Sequence, residues 1–389
     1  METVAVLFGG RSTEHDVSVI TALASVITPL ELTKKYQVVP VYIAKNGAWY
    51  SDESFKDIQL FTSGDIDDVV AKLTPVTLQL DGGMNLIKFK GFGGRKIAQR
   101  IDMVFPAMHG TYGEDGDLMG LLEMAGVAYV GCGVAAAAIA MDKVLAKQLA
   151  EVNGIPVSKY VYFSKHDYEN DTSKFITMIE EKLHYPLFIK PAHLGSSIGI
   201  SRVVNAKELK NGLEVAAYYD DKILVEEAVN HLKEVTLPII GNDKPEPALL
   251  ESPLSNAKDF FDFDKKYMHG GKKGKTANQE TKGAQGYSEI PAVLPEKLYD
   301  RAIDVGLQVY RALGCRGISR IDMLIDTESH KVYFNEVNPL PGSLYSHNWN
   351  KAGISNIELV EKLLRFAKEE YQKKQDMNTS FKTNYLKQF

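Results

Sequence analysis

Two stretches decide the fold of this 389-residue chain: Gly317-Ile-Ser-Arg320-Ile-Asp322 and Phe334-Asn-Glu336-Val-Asn338-Pro-Leu-Pro-Gly342. They belong to two predicted β-strands, Ile318–Asp326 and Val332–Asn338, joined by a polar turn over 327–331. A hairpin centred on Ser329 places Asp322 opposite Glu336 and Arg320 opposite Asn338. Since side chains alternate between faces along a strand, all four polar groups are predicted to share one face.

This face predicts a cation site. Two carboxylates and a carboxamide oxygen are hard ligands of the kind that Mg²⁺ prefers, and the guanidinium adds a fixed positive charge. The alternative is a surface ladder of ion pairs. Leu324 and Phe334 are predicted to share the face, which would partly bury the charges and oblige them to find partners. The cation site is therefore the favoured interpretation.

Composition and charge exclude several classes of protein. Hydrophobic residues make up 44% and charged residues 24%, the balance of a soluble globular protein. A net charge of −5 gives no general attraction to nucleic acid. The two cysteines, Cys132 and Cys315, are too few for a disulfide framework, which indicates a reducing cytosol. We expect no apolar run that reaches the length of a membrane span, and a strand beginning at Val4 leaves no room for a signal peptide.

Hydrophobic periodicity predicts mixed α/β and α+β architecture. The apolar run Val4–Phe8, the turn at Gly9-Gly10 and a following helical pattern are typical of a doubly wound domain. Short alternating segments over 45–100 predict added hairpins. Ala135–Asn153 reads as one long helix, and Ala206–Tyr219 as another helix. The predicted domains cover residues 1–141, 142–230 and 231–375, followed by a polar tail over 376–389. A long loop over 260–286 stands apart and is expected to be functional.

Two lysines are candidate phosphate ligands. Lys190 ends an apolar strand and precedes the loop His193–Gly199, whose backbone N–H groups could cradle a phosphate. Lys143 begins a helical stretch. Either lysine alone could be a solvated surface charge, and Lys190 is the stronger candidate because its strand is apolar.

Glutamates near the end of another apolar strand are candidate nucleotide ligands. Glu226 and Glu227 end the strand that contains Ile223–Val225, and Glu234 follows shortly afterwards. Carboxylates here could accept hydrogen bonds from a ribose while nearby backbone meets the base. A solvated run of charges is an equally good interpretation of this spacing.

Polar residues after two N-terminal strands form a third candidate group. The segment His109-Gly-Thr-Tyr-Gly-Glu114-Asp-Gly follows a strand, where open α/β sheets place ligands. A structural histidine is the alternative for His109. Glu14, just after the Gly-Gly turn, could cap a helix or hold a substrate ammonium group.

Taken together, these residues resemble the D-alanine–D-alanine ligases of the ATP-grasp superfamily over about residues 3–365. The segments that carry the resemblance are Leu7–Ser18, His109–Gly116, Lys190–Gly199, Gly317–Asp322 and Glu336–Gly342. The resemblance implies an ATP-grasp fold with an N-terminal doubly wound domain. It also implies roles for individual residues.

In nucleotide and metal binding, the resemblance implies ATP contacts for Lys143, Lys190, Glu226, Glu227, Val229, Glu234 and Asn335, with the backbone at 226–229 on the adenine. Two Mg²⁺ (or Mn²⁺) would be held by Asp322, Glu336 and Asn338. In substrate binding and catalysis, it implies roles for Glu14, His109, Glu114, Ser196, Lys266, Tyr267, Arg320, Gly342, Ser343 and Ser346. Glu14, Ser196 and Tyr267 would form a hydrogen-bonded trio, and Arg320 with the Gly342 N–H would form an oxyanion hole.

The implied reaction joins two D-alanine molecules through a D-alanyl phosphate at the expense of ATP, for peptidoglycan synthesis in the cytoplasm. A homodimer is implied as well. The same family offers D-serine and D-lactate as alternative second substrates, and a non-catalytic nucleotide-binding relative is a hypothesis from another class. The complete set of charged site residues argues against the last.

Two segments depart from the family pattern. The stretch after Gly342 reads Ser-Leu-Tyr-Ser-His-Asn-Trp, so either Ser343 or Ser346 could take the role of the serine that contacts the second substrate. The loop over 260–286 corresponds to the lid of the ligases that the chain resembles, and from 270 to 286 it is longer and more basic than usual. It carries both a Lys266-Tyr267 pair, typical of dipeptide-forming enzymes, and His269, a residue type found in D-lactate-using relatives. The identity of the second substrate therefore stays open.

Overall fold

The computed structural model describes residues 1–90, 95–253, 288–378 and 385–389. Within these ranges the fold is built on two four-stranded sheets and one five-stranded sheet, with smaller two- and three-stranded additions. The predicted lid over 260–286, including Lys266, Tyr267 and His269, lies outside the described residues.

The five-stranded sheet has the order β3-β2-β1-β7-β8. Its strands are β1 (Glu2–Gly9), β2 (Tyr36–Ile43), β3 (Trp49–Tyr50), β7 (Met103–Pro106) and β8 (Ala128–Tyr129). β1 pairs in parallel with both β2 and β7, so the chain winds outward from β1 in two directions. This arrangement confirms the doubly wound architecture predicted for the N-terminal region.

β1 is buried on both faces, as its continuous apolar run predicts. Ala5 and Leu7 pack into one hydrophobic core, whereas Val4, Val6 and Phe8 pack into another. The second core includes the helical segment His15–Thr33, made of α1 (His15–Ile20), a π-helical stretch (Thr21–Ile27) and α2 (Thr28–Thr33).

The segment His15–Thr33 corrects one expectation. With 19 residues and a mean hydropathy of 1.4, it is long and apolar enough to span a membrane by length and composition alone. However, 56% of the window is buried inside the protein, against the first sheet, as in the core helix of a globular domain.

Antiparallel hairpins fill the region between β3 and β7, as predicted. This region contains the helices α3 (Ile58–Thr62) and α4 (Ile66–Val70), a 3₁₀ turn (Glu53–Lys56) and the strands β4 (Val76–Leu80), β5 (Met84–Lys90) and β6 (Arg95–Ile101). β4, β5 and β6 form a three-stranded antiparallel sheet. α5 (Asp117–Ala125) then connects β7 to β8.

The long helix predicted over 135–153 is two helices, α6 (Val134–Met141) and α7 (Lys143–Val152). The break falls at Asp142, whose side chain accepts hydrogen bonds from the backbone N–H groups of Val144 and Leu145 at 2.9 and 3.1 Å. Asp142 therefore acts as an N-cap, which ends one helix and begins the next.

The central sheet has the order β11-β10-β12-β9 and is antiparallel throughout. Its elements are β9 (Tyr160–Ser164), α8 (Lys165–Asn170), α9 (Thr172–Lys182), β10 (Leu187–Pro191), β11 (Ser201–Val203), α10 (Ala206–Tyr219) and β12 (Lys222–Glu227). α10 has the bounds predicted from the sequence. Asn205 caps it, and Leu209, Leu213 and Ala216 line its buried face.

The third sheet has the order β14-β13-β17-β18. Its strands are β13 (Leu232–Gly241), β14 (Glu246–Pro247), β17 (Gly317–Asp326) and β18 (Lys331–Asn338). β15 (Ser252–Pro253) pairs with β16 (Ser288–Glu289), and the helices are α11 (Glu296–Ala312), α12 (Ser346–Lys351) and α13 (Asn356–Gln375). The domain boundaries near 141 and 230 stay predictions.

Candidate active site

The hairpin of β17 and β18 brings the predicted metal ligands together. Asp322 pairs with Glu336 and Arg320 with Asn338, in the predicted register. Arg320 donates from Nε and Nη2 to the two oxygens of Asp322, at 2.7 and 2.6 Å. Asn338 donates from Nδ2 to Oδ2 of Asp322 at 3.1 Å. The Oδ1 atom of Asn338 is then a possible cation ligand.

A β-bulge beyond Asp322 corrects the predicted register in the other half of the hairpin. Met323 pairs with Phe334, so Asn335 is an additional residue in β18. Phe334 is consequently fully buried in the hydrophobic core. The prediction that Phe334 shares a face with Leu324 is therefore wrong. Tyr333 pairs with Leu324 in its place.

The donor set fits Mg²⁺, since Asp322, Glu336 and Asn338 offer hard oxygen atoms from two adjacent strands. Each of these side chains is half-buried. Although burial lowers the pKa of Arg320, the charge of Asp322 raises it well above the usual value. The guanidinium therefore remains cationic beside the carboxylates.

Two lysines, one on β10 and one on α7, reach this hairpin. Lys190, on β10, donates to Oδ1 of Asn335 at 3.2 Å. Lys143, at the start of α7, lies 3.6 Å from Oε2 of Glu336 and donates to the carbonyl of Leu194 at 2.6 Å. Both lysines are buried, so neither is a solvated surface charge. The structure thus brings two buried lysines together with polar side chains of the hairpin.

Glu226 holds two of the buried lysines in place. Its buried carboxylate pairs with Lys190 and with Lys147, whose Nζ lies 2.9 Å from Oε2, and accepts a hydrogen bond from Ser158 at 2.8 Å. Burial would raise the pKa of Glu226, but the two lysines hold it far below the usual value. The Glu226 side chain is therefore engaged with protein groups, and only its backbone remains a candidate for the adenine.

Lys147 was not among the predicted residues. It follows Lys143 by one helical turn on α7, so both side chains lie on the same face of the helix. That spacing was the available signal. Burial lowers the pKa of Lys147, whereas Glu226 raises that of Lys190 against the effect of burial.

The other predicted nucleotide ligands lie on or just after β12 and on β13. Glu227 is half-buried and accepts hydrogen bonds from the backbone and ring nitrogens of His184 at 2.9 and 3.0 Å. Val229 is half-buried just beyond β12. Glu234, on β13, pairs across the sheet with Leu324, and its charge contributes to the raised pKa of Lys190.

The serine-rich loop meets the N-terminal region at Glu14. Ser196 has a left-handed backbone with φ of 53°, and its hydroxyl donates to Oε1 of Glu14. Gly110 has a φ of 69°, which favours glycine, and a Cβ there would lie 2.5 Å from Oγ of Ser12 and 2.9 Å from Oε2 of Glu14. Two members of the implied trio are therefore in contact, and the third, Tyr267, lies outside the described residues.

His193 fixes the start of the serine-rich loop. Its backbone N–H donates to Asp220 at 2.7 Å, Nδ1 lies 2.9 Å from the same carboxylate, and Nε2 lies 3.3 Å from Asp142. Hydrogen bonds to Asp142 and Asp220 raise the pKa of His193 to about 9. The imidazolium thereby connects the loop to the N-cap that orients Lys143.

His109 and Glu114 are buried where the N-terminal region meets the segment after β18. Glu114 accepts hydrogen bonds from the backbone N–H groups of Gly110 and Leu340, at 2.7 and 3.2 Å. Burial lowers the pKa of His109 to about 4. Burial and the charge of Glu14 raise the pKa of Glu114 to about 8.

Thr21 joins His109 to the segment after Gly342 and was missed by the sequence analysis. Its Oγ1 lies 2.8 Å from Nε2 of His109 and accepts a hydrogen bond from the Ser343 backbone N–H at 2.9 Å. Thr21 begins the π-helical stretch, a type of irregularity that is frequent at functional sites. Sequence periodicity carries no signal for such a stretch.

The segment after Gly342 contains three consecutive left-handed residues, Ser343, Leu344 and Tyr345, with φ between 51° and 53°. Such a run is costly for residues other than glycine, so it requires firm packing around it. Leu344 and Tyr345 are buried, and Ser346 begins α12. The Tyr345 ring centroid lies 5.1 Å from Cζ of Arg320.

Comparison with known families decides the classification. The model for the D-ala D-ala ligase N-terminus matches residues 3–132, and the model for the D-ala D-ala ligase C-terminus matches residues 149–365. The chain belongs to the D-alanine–D-alanine ligase family. Its architecture is accordingly the ATP-grasp fold with an N-terminal doubly wound domain.

Curated relatives in this ligase family match over nearly their whole length. A D-alanine–D-alanine ligase of Chlorobium limicola is 40% identical over 374 residues, covering 94% of this chain and 97% of the relative. A D-alanine–D-alanine ligase of Natranaerobius thermophilus is 37% identical over 383 residues, with 97% and 98% covered.

Solved structures of ligases share the fold. The VanG D-Ala:D-Ser ligase of Enterococcus faecalis superimposes with a TM-score of 0.76 at 32% identity, covering 94% of this chain and 99% of that structure. The D-alanine–D-alanine ligase of Coxiella burnetii gives a TM-score of 0.76 at 25% identity, with 96% of both chains covered. The fold is therefore compatible with more than one second substrate.

Proposed function

We propose that this chain joins two D-alanine molecules to form D-alanyl-D-alanine, with conversion of ATP to ADP and phosphate. The observation that carries the proposal is the cluster in which Lys143 and Lys190 meet Glu336 and Asn335, beside the pairing of Arg320 with Asp322. Phosphoryl transfer from ATP needs charge neutralisation and alignment, and this cluster offers groups for both.

ATP would lie between the central and third sheets. Lys143 and Lys190 would bind its phosphates, while Glu227, Glu234 and the backbone over 226–229 would contact the nucleoside. Asn335 would support Lys190, to which it is already hydrogen-bonded. Mg²⁺ (or Mn²⁺), when held by Asp322, Glu336 and Asn338, would neutralise negative charge on the phosphates.

The first D-alanine would lie between the N-terminal region and Arg320. Glu14, oriented by Ser196, would bind its ammonium group, and His109, neutral in the physiological pH range because its pKa is about 4, would lie near its carboxylate. Glu114 would hold the 109–116 loop against Leu340. An oxygen of the D-alanine carboxylate would then attack the γ-phosphorus, which gives the acyl phosphate and ADP.

The second step makes the peptide bond. The amine of the second D-alanine attacks the acyl carbon and loses a proton, and inorganic phosphate leaves. Of the five N–H donors of Arg320, Asp322 takes two, so others can reach the developing oxyanion together with the Gly342 N–H. One such donor contributes about 3–4 kcal/mol.

The remaining assignments are parts of the same proposal. Ser343 or Ser346 would contact the second substrate, and Lys266 and Tyr267 would take part in substrate binding and catalysis. We also propose a homodimeric, cytoplasmic enzyme that supplies peptidoglycan synthesis.

A D-alanine–D-serine ligase is the second candidate. The structural similarity to the VanG D-Ala:D-Ser ligase and the unusual segment after Gly342 favour it. A panel assay separates the candidates: purified enzyme receives Mg·ATP and D-alanine, alone or with D-serine, D-lactate or glycine. ADP release is measured and the products are resolved by mass.

The proposal predicts D-alanyl-D-alanine from D-alanine alone. Turnover that requires D-serine or D-lactate would move the enzyme to the second candidate or to a depsipeptide ligase. Binding of ATP with no turnover in any mixture would identify a non-catalytic relative and overturn the proposal.

A further inference from the structure

His193 joins two buried carboxylates, and the functions proposed so far assign it no role. Its Nδ1 lies 2.9 Å from Oδ1 of Asp220, and its Nε2 lies 3.3 Å from Oδ2 of Asp142. The side chains of Asp220 and Asp142 keep only 5% and 7% of their surface exposed, and a buried carboxylate is costly without partners. Because an ionised carboxylate only accepts hydrogen bonds, the ring donates from both nitrogens and is an imidazolium.

The two carboxylates belong to different elements of the fold. Asp142 is the N-cap of α7, the helix that begins with Lys143, whereas Asp220 lies between α10 and β12. Lys222, at the start of β12, also donates to Asp142, and the backbone N–H of His193 donates to Asp220 at 2.7 Å. His193 thereby ties the first turn of α7 to the central sheet through both its ring and its main chain.

The neighbours of His193 in the chain hold Lys143. The backbone N–H of Lys143 donates to the carbonyl of Ala192 at 3.1 Å, and its Nζ donates to the carbonyl of Leu194 at 2.6 Å. An ammonium group has three donors, so the Leu194 contact orients it and leaves donors for a ligand. Glu336, 3.6 Å from the same Nζ, is a proposed metal ligand. The main chain on either side of His193 is therefore the support of Lys143 that does not depend on a metal.

We propose that His193 is a positioning residue for the nucleotide site: its bonds to Asp142 and Asp220 fix the main chain that holds the ammonium of Lys143 where an ATP phosphate would bind. The inference rests on the proposed function and adds the residue on which one phosphate contact depends. A lysine side chain is long and flexible, so ordering it on binding costs free energy. An ammonium that is already fixed binds a phosphate at a smaller cost.

The donor pattern of His193 indicates which replacements keep this role. Hydrogen bonds to Asp142 and Asp220 raise the pKa of His193 to about 9, so the ring keeps its charge and both donors at neutral pH. Arginine is also cationic and has several N–H donors, with which it can contact both carboxylates. Glutamine is neutral and has one amide group, which can satisfy only one of them.

The test measures the Kd for AMP-PNP, an ATP analogue that resists hydrolysis, by isothermal titration calorimetry with Mg²⁺ and without D-alanine. His193→Gln should raise this Kd about tenfold, the effect of losing one hydrogen bond to a charged group. His193→Arg should stay within about twofold of the unmodified enzyme because it restores the cation and both contacts. The control is His166→Gln, which changes an exposed histidine on α8 and should leave the Kd unaltered.

A double-mutant cycle shows whether His193 acts through Lys143. In a Lys143→Met background, His193→Gln should change the Kd for AMP-PNP less than about twofold, because the ammonium that it positions is absent. An equal effect of His193→Gln in both backgrounds would overturn the positioning role. If His193→Gln fails to fold, Asp220→Asn takes its place in the cycle with the same expectation, since it keeps the side-chain shape and removes the charge behind the ring.

An unchanged Kd for AMP-PNP in folded His193→Gln would also overturn the inference. A merely structural role would lower the free energy of unfolding and the fraction of protein that binds, while the Kd of the folded fraction stayed the same. Calorimetry separates these effects because it gives the stoichiometry and the Kd independently. If the unmodified enzyme bound no AMP-PNP at all, the proposed ligase function would fail, and this inference with it.

Discussion

Lys190 on β10 donates a hydrogen bond to Oδ1 of Asn335 on β18, with 3.2 Å between the two atoms. Asn335 is the additional residue of the β-bulge, which places it beside Glu336 where the two lysines reach the hairpin and turns Phe334 into the core. A single inserted residue therefore directs Asn335 towards Lys190, next to Glu336, which lies near Lys143. The two sheets meet at this hydrogen bond.

Lys190→Met should raise the KM for ATP at least tenfold while the protein remains folded. Methionine keeps most of the side-chain volume, and Lys147 still pairs with Glu226, so the buried carboxylate is not left without a cation. Steady-state kinetics at varied ATP would measure the effect. The exposed Lys174→Met is the control, and an equal KM for ATP in both variants would contradict a role of Lys190 in the nucleotide site.

Glu226→Gln should lower the free energy of unfolding by about 3–5 kcal/mol, because two buried ammonium groups lose their shared carboxylate. Urea unfolding of the ligand-free protein would measure it. The adjacent Glu227→Gln changes a half-buried carboxylate and should cost far less. Similar losses in the two variants would show that the buried cluster does not stabilise the fold.

Thr21→Val should lower kcat/KM for the first D-alanine and destabilise the protein by about 1–3 kcal/mol. The change keeps the shape of the side chain but removes the oxygen that contacts His109 and accepts from the Ser343 N–H. Thr28→Val is the matched control, since the Thr28 hydroxyl donates to the Leu23 carbonyl elsewhere in the same helical segment. A drop in kcat/KM as large for Thr28→Val would refute a specific role for Thr21.

Protonation of His193 should make the free energy of unfolding depend on pH between neutral and alkaline values. Its pKa rises on folding from 6.5 to about 9, so the folded state binds the proton more tightly. This stabilisation is fully present below about pH 6.5 and is lost as the pH rises towards 9. Urea unfolding across this range should show a falling free energy of unfolding.

In His193→Gln that fall should be smaller, whereas the exposed His166→Gln should retain it. Some decrease will remain in both variants because Glu114, with a pKa raised to about 8, acts in the same direction up to that pH. A decrease of the same size in His193→Gln and in the unmodified protein would contradict the account of His193.

Much of the fold follows from local patterns in the sequence. The bounds of α10 agree with the predicted helix over Ala206–Tyr219, since Asn205 supplies a local cap and the apolar positions keep a helical period. The pairing of Asp322 with Glu336 was predicted because the alternation of side chains and the short turn restrict the register. These features depend on neighbouring residues alone.

Other features depend on contacts between distant segments. The sequence around Asn335 alternates like a regular strand and gives no sign of the bulge. Its effect on the direction of Phe334 is therefore seen only in the structure. The buried pairing of Lys147 with Glu226 joins residues from α7 and β12. In contrast, the helix break at Asp142 did have a local signal, an aspartate at an N-cap position, which the continuous apolar period concealed.

The central claim is that the carboxylate of the first D-alanine attacks ATP to form an acyl phosphate. The most direct test supplies the enzyme with Mg·ATP and D-alanine whose carboxylate is labelled with ¹⁸O, and determines the mass of the released phosphate. The mechanism predicts that each phosphate carries one ¹⁸O atom, because the attacking oxygen stays on phosphorus when the amine displaces phosphate. Phosphate that is released without ¹⁸O would contradict the claim and indicate that water, and not the substrate carboxylate, attacks the nucleotide.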